Sequence, residues 1–303
     1  MSRSPLPIER AVGDWTRAHL PFAVAELVVF FLKQAWAALF ALLLLVGIIL
    51  SSQLWQSDWP LARYDFLVLY AVGLQILFLA LKLETWAEAR VILLFHLTST
   101  LMEVFKVNHG SWSYPEAGVL KLMNVPLFSG FMYASVGSYM ARVIRLFDMR
   151  FAPYPPFWAT ALLALAIYVN FFSHHFLPDI RVALFFATLI VFLRTRIWFQ
   201  VSDTPYWMPL PLAAFLSAIA LWVAENIGTM TRTWLYHGQT SDQMVSLAKI
   251  GSWYLLLYVS FVTVTLVLRD ALHAAPLSKE SAPFQKDNKQ YESRYQVERK
   301  PAE

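Results

Sequence analysis

Residues 35–50 read AWAALFALLLLVGIIL, a continuous run of small and apolar side chains. With its flanks the run reaches about 20 residues, which is the length of a helix that crosses the hydrocarbon core of a bilayer. Residues 64–81 (YDFLVLYAVGLQILFLAL) and 252–268 (SWYLLLYVSFVTVTLVL) have the same character. These runs predict transmembrane helices, because a segment with so few polar side chains has no solvent-facing surface.

The composition of the 303-residue chain supports this class. Hydrophobic residues make up 58% and charged residues 15%, whereas soluble domains contain roughly 45–50% and about 25%. The chain has no Cys, which excludes disulfides, thiolate metal sites and Cys nucleophiles. Local signatures of ATP hydrolysis, NAD binding, zinc proteolysis and nucleic-acid recognition are also missing. We therefore expect the lipid bilayer as the partner, and no nucleic acid.

The pattern predicts an all-α integral membrane bundle of eight transmembrane helices. The predicted spans cover residues 34–52, 64–82, 89–107, 125–146, 156–174, 181–198, 209–230 and 250–268. Residues 1–33 form an N-terminal segment in which 21–33 predicts an interfacial helix, and 34–270 form the transmembrane domain. Residues 271–303, rich in Lys, Glu and Ser, predict a disordered tail.

Basic residues give the expected orientation. Of the 24 Lys and Arg residues, 18 fall on the side that carries both termini and 6 on the other side. The positive-inside rule therefore predicts that both termini are cytoplasmic.

Polar residues concentrate at the predicted outer ends of spans three and seven. Glu103 and Lys106 lie in the last turns of span three, and the segment GSWSYPE (110–116) follows. Glu225 and Asn226 lie near the end of span seven, and WLYHGQ (234–239) follows. An ionisable group at the bilayer centre costs about 2.5–3.5 kcal/mol, so such groups persist where they are paired, near an end or needed for function.

The two regions align with a constant offset of 122 residues: Glu103 with Glu225, Trp112 with Trp234, and Tyr114 with Tyr236. Spans three and seven run in the same direction. The alignment predicts a parallel repeat of four plus four spans. The alternative is convergence on an interfacial Trp-x-Tyr anchor.

We expect a pocket at the outer face in which two carboxylates act as acid and base. The candidate catalytic residues are Glu103, Glu225, Glu116, Tyr114 and Tyr236. The candidate ligand-binding residues are Lys106, Trp112, Asn226, Trp234 and Gln239. No metal is expected, because the spacing matches no metal motif and His174 and His175 are adjacent. The structural alternative is that Glu103 pairs with Lys106 on one helix face.

The strings EVFK (103–106), GSWSYPE (110–116), VPLFSGFMYASVGSY (125–139) and AENIGT (224–229) resemble the bacterial membrane family catalogued as domain of unknown function 817. The resemblance runs from about residue 25 to 270. It implies a bacterial inner-membrane protein and no particular activity. Where that family commonly has Tyr-Pro before Gln, this chain has Tyr236-His237-Gly238-Gln239. A shorter pattern is similar to carotenoid hydratase-like membrane proteins, and it implies acid catalysis on an isoprenoid; its residues are Glu103, Gly110, Tyr114, Val125 and Pro126.

Three functions remain open on the sequence. The first is an enzyme that modifies a lipid or isoprenoid with membrane-embedded carboxylates, its cofactors and oligomeric state unknown. The second is a secondary transporter of a small solute, favoured by the repeat and the intramembrane charges. The third is a structural or assembly protein in which the charged groups stabilise the bundle.

Overall fold

The structure is a computed structural model that describes residues 15–16, 18–56, 58–202 and 204–273. Residues 1–14 and 17 of the predicted N-terminal segment lie outside these described residues. Residues 274–303 of the predicted disordered tail also lie outside them.

Helices form most of the described chain. They are α1 (Phe22–Ala37), α2 (Leu39–Leu54), α3 (Arg63–Ala80), α4 (Trp86–Asn108), α5 (Phe128–Leu146), α6 (Phe157–Ser173), α7 (Arg181–Phe192), α8 (Leu210–Met230), α9 (Ala248–Val267) and the short α10 (Asp270–His273). Helices α2 to α9 follow the eight predicted spans in order. The apolar runs are helical because a helix satisfies its backbone hydrogen bonds within the segment.

Four helices, α3, α4, α8 and α9, are long and apolar enough to cross a membrane. The pair α1 and α2 passes the same criteria as one unit, bent by 67° at Ala38, and makes a fifth. Helices α6 and α7 are apolar but shorter, with 17 and 12 residues. Within the described residues, the structure thus supports a mostly helical fold with four or five candidate spans. The count of eight stays a prediction.

The sequence predicted span six over residues 181–198, which is longer than the helix in the structure. Helix α7 ends at Phe192, and Arg196–Gln200 forms strand β5. Strand β5 lies between β4 (Arg150–Ala152) and β6 (Pro205–Pro209) in an antiparallel sheet, with Trp198 opposite Trp207. The apolar run ends at Arg194, and the β-branched and aromatic residues that follow favour a strand.

The loops gather at two ends of the bundle. At the first end, here called the sheet end, the β4–β5–β6 sheet is tied to α1 by Lys33, whose Nζ donates to the carbonyl of Leu146 at 3.2 Å and of Gln200 at 3.4 Å. At the second end, here called the loop end, the segments 55–56, 58–62, 109–127, 174–180 and 231–247 meet. Two antiparallel pairs lie there: β1 (Trp112–Ser113) with β7 (Leu235–Tyr236), and β2 (Lys121–Leu122) with β3 (Val125–Pro126).

The buried Arg63 clamps the loop end. Its guanidinium donates to Glu116 Oε1 at 2.5 Å, to Thr233 Oγ1 at 2.8 Å and to Ser51 Oγ at 3.0 Å. The neighbouring Asp65 accepts from the backbone N–H of Leu120 at 2.7 Å. These charge-assisted bonds hold both long loops against α2 and α3.

Helices α4 and α5 form the closest pair in the bundle. A Cβ added to Gly130 would lie 2.4 Å from His96 Nδ1 of α4. Ala134 and Ser138 continue the same stripe and are fully buried, and Ser138 Oγ donates to Glu84 Oε1 at 2.5 Å. These small residues, spaced four apart, allow the two helices to pack closely.

The outer surface of the helices is apolar. The exposed side chains include Leu69, Ile76, Leu97, Leu101, Leu162 and Ile190. In water such a belt would be an aggregation surface. The helices therefore indicate a membrane protein.

Candidate functional site

Glu103 lies inside the bundle near the C-terminal end of α4 and is only 1% exposed. Gly110, at φ +67°, turns the chain back after the helix, as glycine does readily. The returning segment places Trp112 and Tyr114 on the same carboxyl oxygen. Glu103 Oε2 accepts from Trp112 Nε1 and from the Tyr114 hydroxyl, each at 2.8 Å. This carboxyl is saturated by its neighbours.

Glu225 occupies the corresponding place in α8 and is 7% exposed. Its Oε1 accepts from the Tyr236 hydroxyl at 2.6 Å. Its Oε2 is buried and has no hydrogen-bond partner within the described part of the chain. A buried polar atom without a partner is costly, by about 1–3 kcal/mol. Glu225 therefore differs from Glu103 in having a buried carboxyl oxygen whose hydrogen-bonding capacity is not filled at normal geometry, although the Trp253 side chain lies close to this carboxyl group.

The β1–β7 pair brings the two carboxyl clusters together. In its register Trp112 lies opposite Tyr236 and Ser113 opposite Leu235. The Trp112 and Tyr236 rings are in edge contact, with centroids 5.9 Å apart. The predicted meeting of the Glu103 and Glu225 regions thus occurs through backbone pairing and ring contact.

The two tyrosines act as hydrogen-bond donors to these carboxyl groups. Burial, together with the adjacent Glu103, raises the pKa of Tyr114 well above its usual value. Burial and the adjacent Glu225 have the same effect on the pKa of Tyr236. Both hydroxyls stay protonated at any physiological pH, so each orients its carboxyl.

A cavity of about 160 Å³ opens between α4, α8 and α9 at the loop end. Its lining includes Lys106, Trp112, Tyr133, His174, Arg181, Glu225, Tyr236, Lys249 and Trp253. Glu225 is a lining residue of this cavity, and Glu103 is not. We name it the end cavity.

The end cavity is rich in basic groups. Lys106 is 2% exposed, and its Nζ lies 3.0 Å from His175 Nε2 and 3.5 Å from His174 Nε2. It does not pair with Glu103, so the structural alternative for these two residues is wrong. Burial and the nearby Lys106 charge lower the pKa of His175, which favours the neutral ring as the neighbour of Lys106.

Two further cations come from other helices. Lys249, in the first turn of α9, lies with its Nζ 3.7 Å from the centroid of the Tyr236 ring. Arg181, the first residue of α7, pairs through Nε with Asp179 Oδ2 at 2.5 Å.

Besides Glu103 and Tyr114, four predicted site residues are missing from the lining of the end cavity. Glu116 pairs with Arg63. Asn226 donates to the Trp222 carbonyl at 2.8 Å and accepts from the Val245 N–H at 2.9 Å. The other two are Trp234, which packs across Gly228, and Gln239, whose Nε2 donates to the Gln243 carbonyl at 2.9 Å. The contacts given for these four residues are with other residues of the protein and not with the end cavity.

A second, apolar cavity of about 60 Å³ lies further along the bundle. Phe95, Met102, Tyr168, Leu221 and Leu257 are among its lining residues. Tyr133, Trp253 and Leu256 line both this apolar cleft and the end cavity. The two spaces therefore share a wall.

The sequence interpretation missed Lys249, Arg181, Tyr133 and Trp253 as site residues. Lys249 and Arg181 are single charges at predicted span ends, where positive residues are ordinary anchors. Tyr133 and Trp253 sit among many other aromatics. No local signal separates them from the rest.

Within the described residues, no group of three or more His, Cys, Asp or Glu side chains is arranged to hold a metal ion.

Comparison with known proteins matches residues 26–261 to the model of a family described as "Protein of unknown function (DUF817)". The uncharacterized protein YoaT of Bacillus subtilis is 41% identical over 243 residues, which is 80% of this chain and 91% of that protein. No solved structure matches. The chain therefore belongs to the DUF817 family, whose description names no activity.

Proposed function

We propose that this member of the DUF817 family is an integral-membrane enzyme that performs acid–base chemistry on a lipid. One observation carries the proposal. Glu225 is a buried carboxyl group with one oxygen held by Tyr236 and the other free, and it lines the end cavity. A general acid or base needs this combination of fixed orientation and access to a substrate atom.

The roles of the two carboxyl groups differ in this proposal. Glu225 exchanges a proton with the bound substrate, and Tyr236 orients it. Glu103 holds Trp112 and Tyr114 in place. Trp112 in turn forms the wall of the end cavity. Glu103 is thus a positioning residue.

The apolar cleft supports a lipid as the substrate. It shares Tyr133, Trp253 and Leu256 with the end cavity, so an apolar chain in the cleft would place its polar end near Glu225. The isoprenoid class rests on the resemblance to carotenoid hydratase-like proteins alone.

We further propose that the bundle crosses the cytoplasmic membrane of a bacterium eight times, with both termini and the sheet end in the cytoplasm. The gathering of the loops at two ends supports this alternation. A parallel repeat is supported by one recurring bond: in each half a Tyr hydroxyl donates to the Glu eleven positions earlier, Tyr114 to Glu103 and Tyr236 to Glu225. Trp112 donates to Glu103 and Trp234 packs across Gly228, so the halves differ there.

The test compares whole lipid extracts, isoprenoid fraction included, from a deletion strain that expresses the wild-type chain, Glu225→Gln or Glu103→Gln. We expect a lipid difference between the deletion and the wild type that Glu103→Gln restores and Glu225→Gln does not, at equal amounts of folded protein. Identical extracts from all strains would refute the enzyme. Solute movement by the reconstituted protein would favour the transporter, and loss of folded protein in both variants would favour the structural role.

A further inference from the structure

We propose that the end cavity binds the phosphate-type anionic head group of a membrane amphiphile whose apolar chain lies in the adjoining cleft. The inference rests on the proposed function, because it names the substrate class of the same site.

The balance of charge in the end cavity is the first argument. Asp179 compensates Arg181 at 2.5 Å. Lys106 and Lys249 then face Glu225 as the one carboxyl group in the cavity lining. The neighbours of the buried Lys106 ammonium are two imidazole nitrogens and the Phe171 ring. A buried cation without a matching anion is unfavourable, so a bound anion would stabilise this arrangement.

Two helices begin at the end cavity, which is the second argument. Arg181 opens α7, a helix of 12 residues, and Ala248 opens α9, a helix of 20 residues. All three of Arg181, Ala248 and Lys249 line the cavity. Helix N-termini carry positive partial charge and unpaired N–H groups, which favour phosphate and other anions.

The size of the end cavity suits a compact head group. A single water molecule needs a cavity volume of about 10–15 Å³. The end cavity, with a volume of about 160 Å³, therefore accommodates a group of several heavy atoms. Lysine ammonium groups bind phosphate as point charges. A phosphate monoester fits these dimensions and charges together.

The position of the apolar cleft beside the end cavity favours an amphiphile over a free anion. Leu256 of α9 and Tyr133 of α5 border both spaces. When the head group of the amphiphile is bound by Lys106 and Lys249, its apolar chain can therefore lie against the apolar and aromatic side chains that line both spaces. Burial of such a chain contributes about 0.8 kcal/mol per CH₂ group.

The experiment measures binding to the purified full-length protein in detergent, through the ligand-induced change in its tryptophan fluorescence, to which Trp112 and Trp253 in the cavity lining contribute. The three probes are dioleoyl phosphatidic acid, dioleoyl glycerol and inorganic phosphate. The variants are Lys106→Gln, Lys249→Gln and Lys249→Arg. The matched control is Arg90→Gln, which removes an exposed charge from the other end of α4.

We expect phosphatidic acid to bind at least tenfold more tightly than dioleoyl glycerol. Each Lys→Gln variant should weaken its binding roughly tenfold, since a hydrogen bond to a charged group is worth about 1.5–3 kcal/mol. Lys249→Arg and Arg90→Gln should bind as the wild type does. Lys249 is only half-buried, so we expect its variants to fold. They therefore report on binding even if Lys106→Gln fails to fold.

Three results would overturn the proposal: equal affinity for phosphatidic acid and dioleoyl glycerol, wild-type affinity in Lys249→Gln, or inorganic phosphate binding as tightly as phosphatidic acid. The last would assign the cavity to a free anion. Glu225→Gln separates this inference from the proposed function, because it should retain phosphatidic acid binding. Binding without any lipid difference in cells would refute the enzyme and leave the head-group site standing.

Discussion

Replacement of Glu103 tests whether this carboxyl group is a structural acceptor. Glu103→Leu removes the acceptor of two buried donors, Trp112 Nε1–H and the Tyr114 hydroxyl, both at 2.8 Å. Each donor left without a partner costs about 1–3 kcal/mol. We therefore expect Glu103→Leu to lower the free energy of unfolding by about 4 kcal/mol.

Glu103→Gln is the matched comparison. The amide oxygen of Gln can accept from both donors as Oε2 of Glu103 does, so the loss is limited to the charge assistance of the two bonds. Relief from burying a carboxylate opposes that loss. The free energy of unfolding should change by less than about 1 kcal/mol. Tyr114→Phe removes a single donor and should cost about 1 kcal/mol.

The measurement is thermal unfolding of the purified protein in detergent, followed by the near-ultraviolet circular dichroism of its tryptophans. With about 2–4 °C per kcal/mol for a chain of this size, the Tm of Glu103→Leu should fall by roughly 10 °C and that of Glu103→Gln by a few degrees at most. Equal losses in the two variants, or a Leu variant as stable as the wild type, would refute the assignment of Glu103 as a buried acceptor.

Two further predictions concern the same loop end. Gly228→Ala places a Cβ 1.9 Å from Trp234 Cη2, so it should lower the free energy of unfolding by about 1–3 kcal/mol. The control is Gly73→Ala in α3, which has open space around it and should be neutral or stabilising by up to about 1 kcal/mol. Equal effects of the two variants in thermal unfolding would contradict the packing of Trp234. The pKa values of Tyr114 and Tyr236 are raised in the folded protein, so their contribution to stability is complete below about pH 10, the unfolded value, and declines as the pH rises from there towards the folded pKa values. Absorbance at the tyrosinate band should show fewer tyrosines titrating near pH 10 in the folded wild type than after unfolding, and Tyr236→Phe should remove one of the tyrosines that titrate late.

The sequence predicted the helices well because their cause is local. A run of about 20 apolar residues has to form a helix in lipid, so the starts and ends of α3, α4, α8 and α9 follow from the runs themselves. The error at span six has the same origin. An apolar pattern that continues through Ile197 and Trp198 does not distinguish the last turns of a helix from a β-strand, and pairing with β4 and β6 decided for the strand.

Part of the site was also local. Trp112 and Tyr114 return to Glu103 within eleven residues, and Tyr236 returns to Glu225 over the same interval. A helix end, a turn and a short return are contained in one stretch of chain, so their residues could be selected from the sequence.

The sequence by itself determined that the chain is a bundle of apolar helices with two Glu-containing helix ends. Only the tertiary structure decided that these two glutamates are unlike. Glu103 accepts hydrogen bonds from Trp112 and Tyr114 in the segment that follows its helix. Glu225 has one oxygen without a hydrogen bond within the described residues, and it lines a cavity whose cations come from α4, α7 and α9. Apolar periodicity determines which segments are helices, but the neighbours of each helix depend on side-chain packing between distant segments. The charge of the end cavity is the product of that packing.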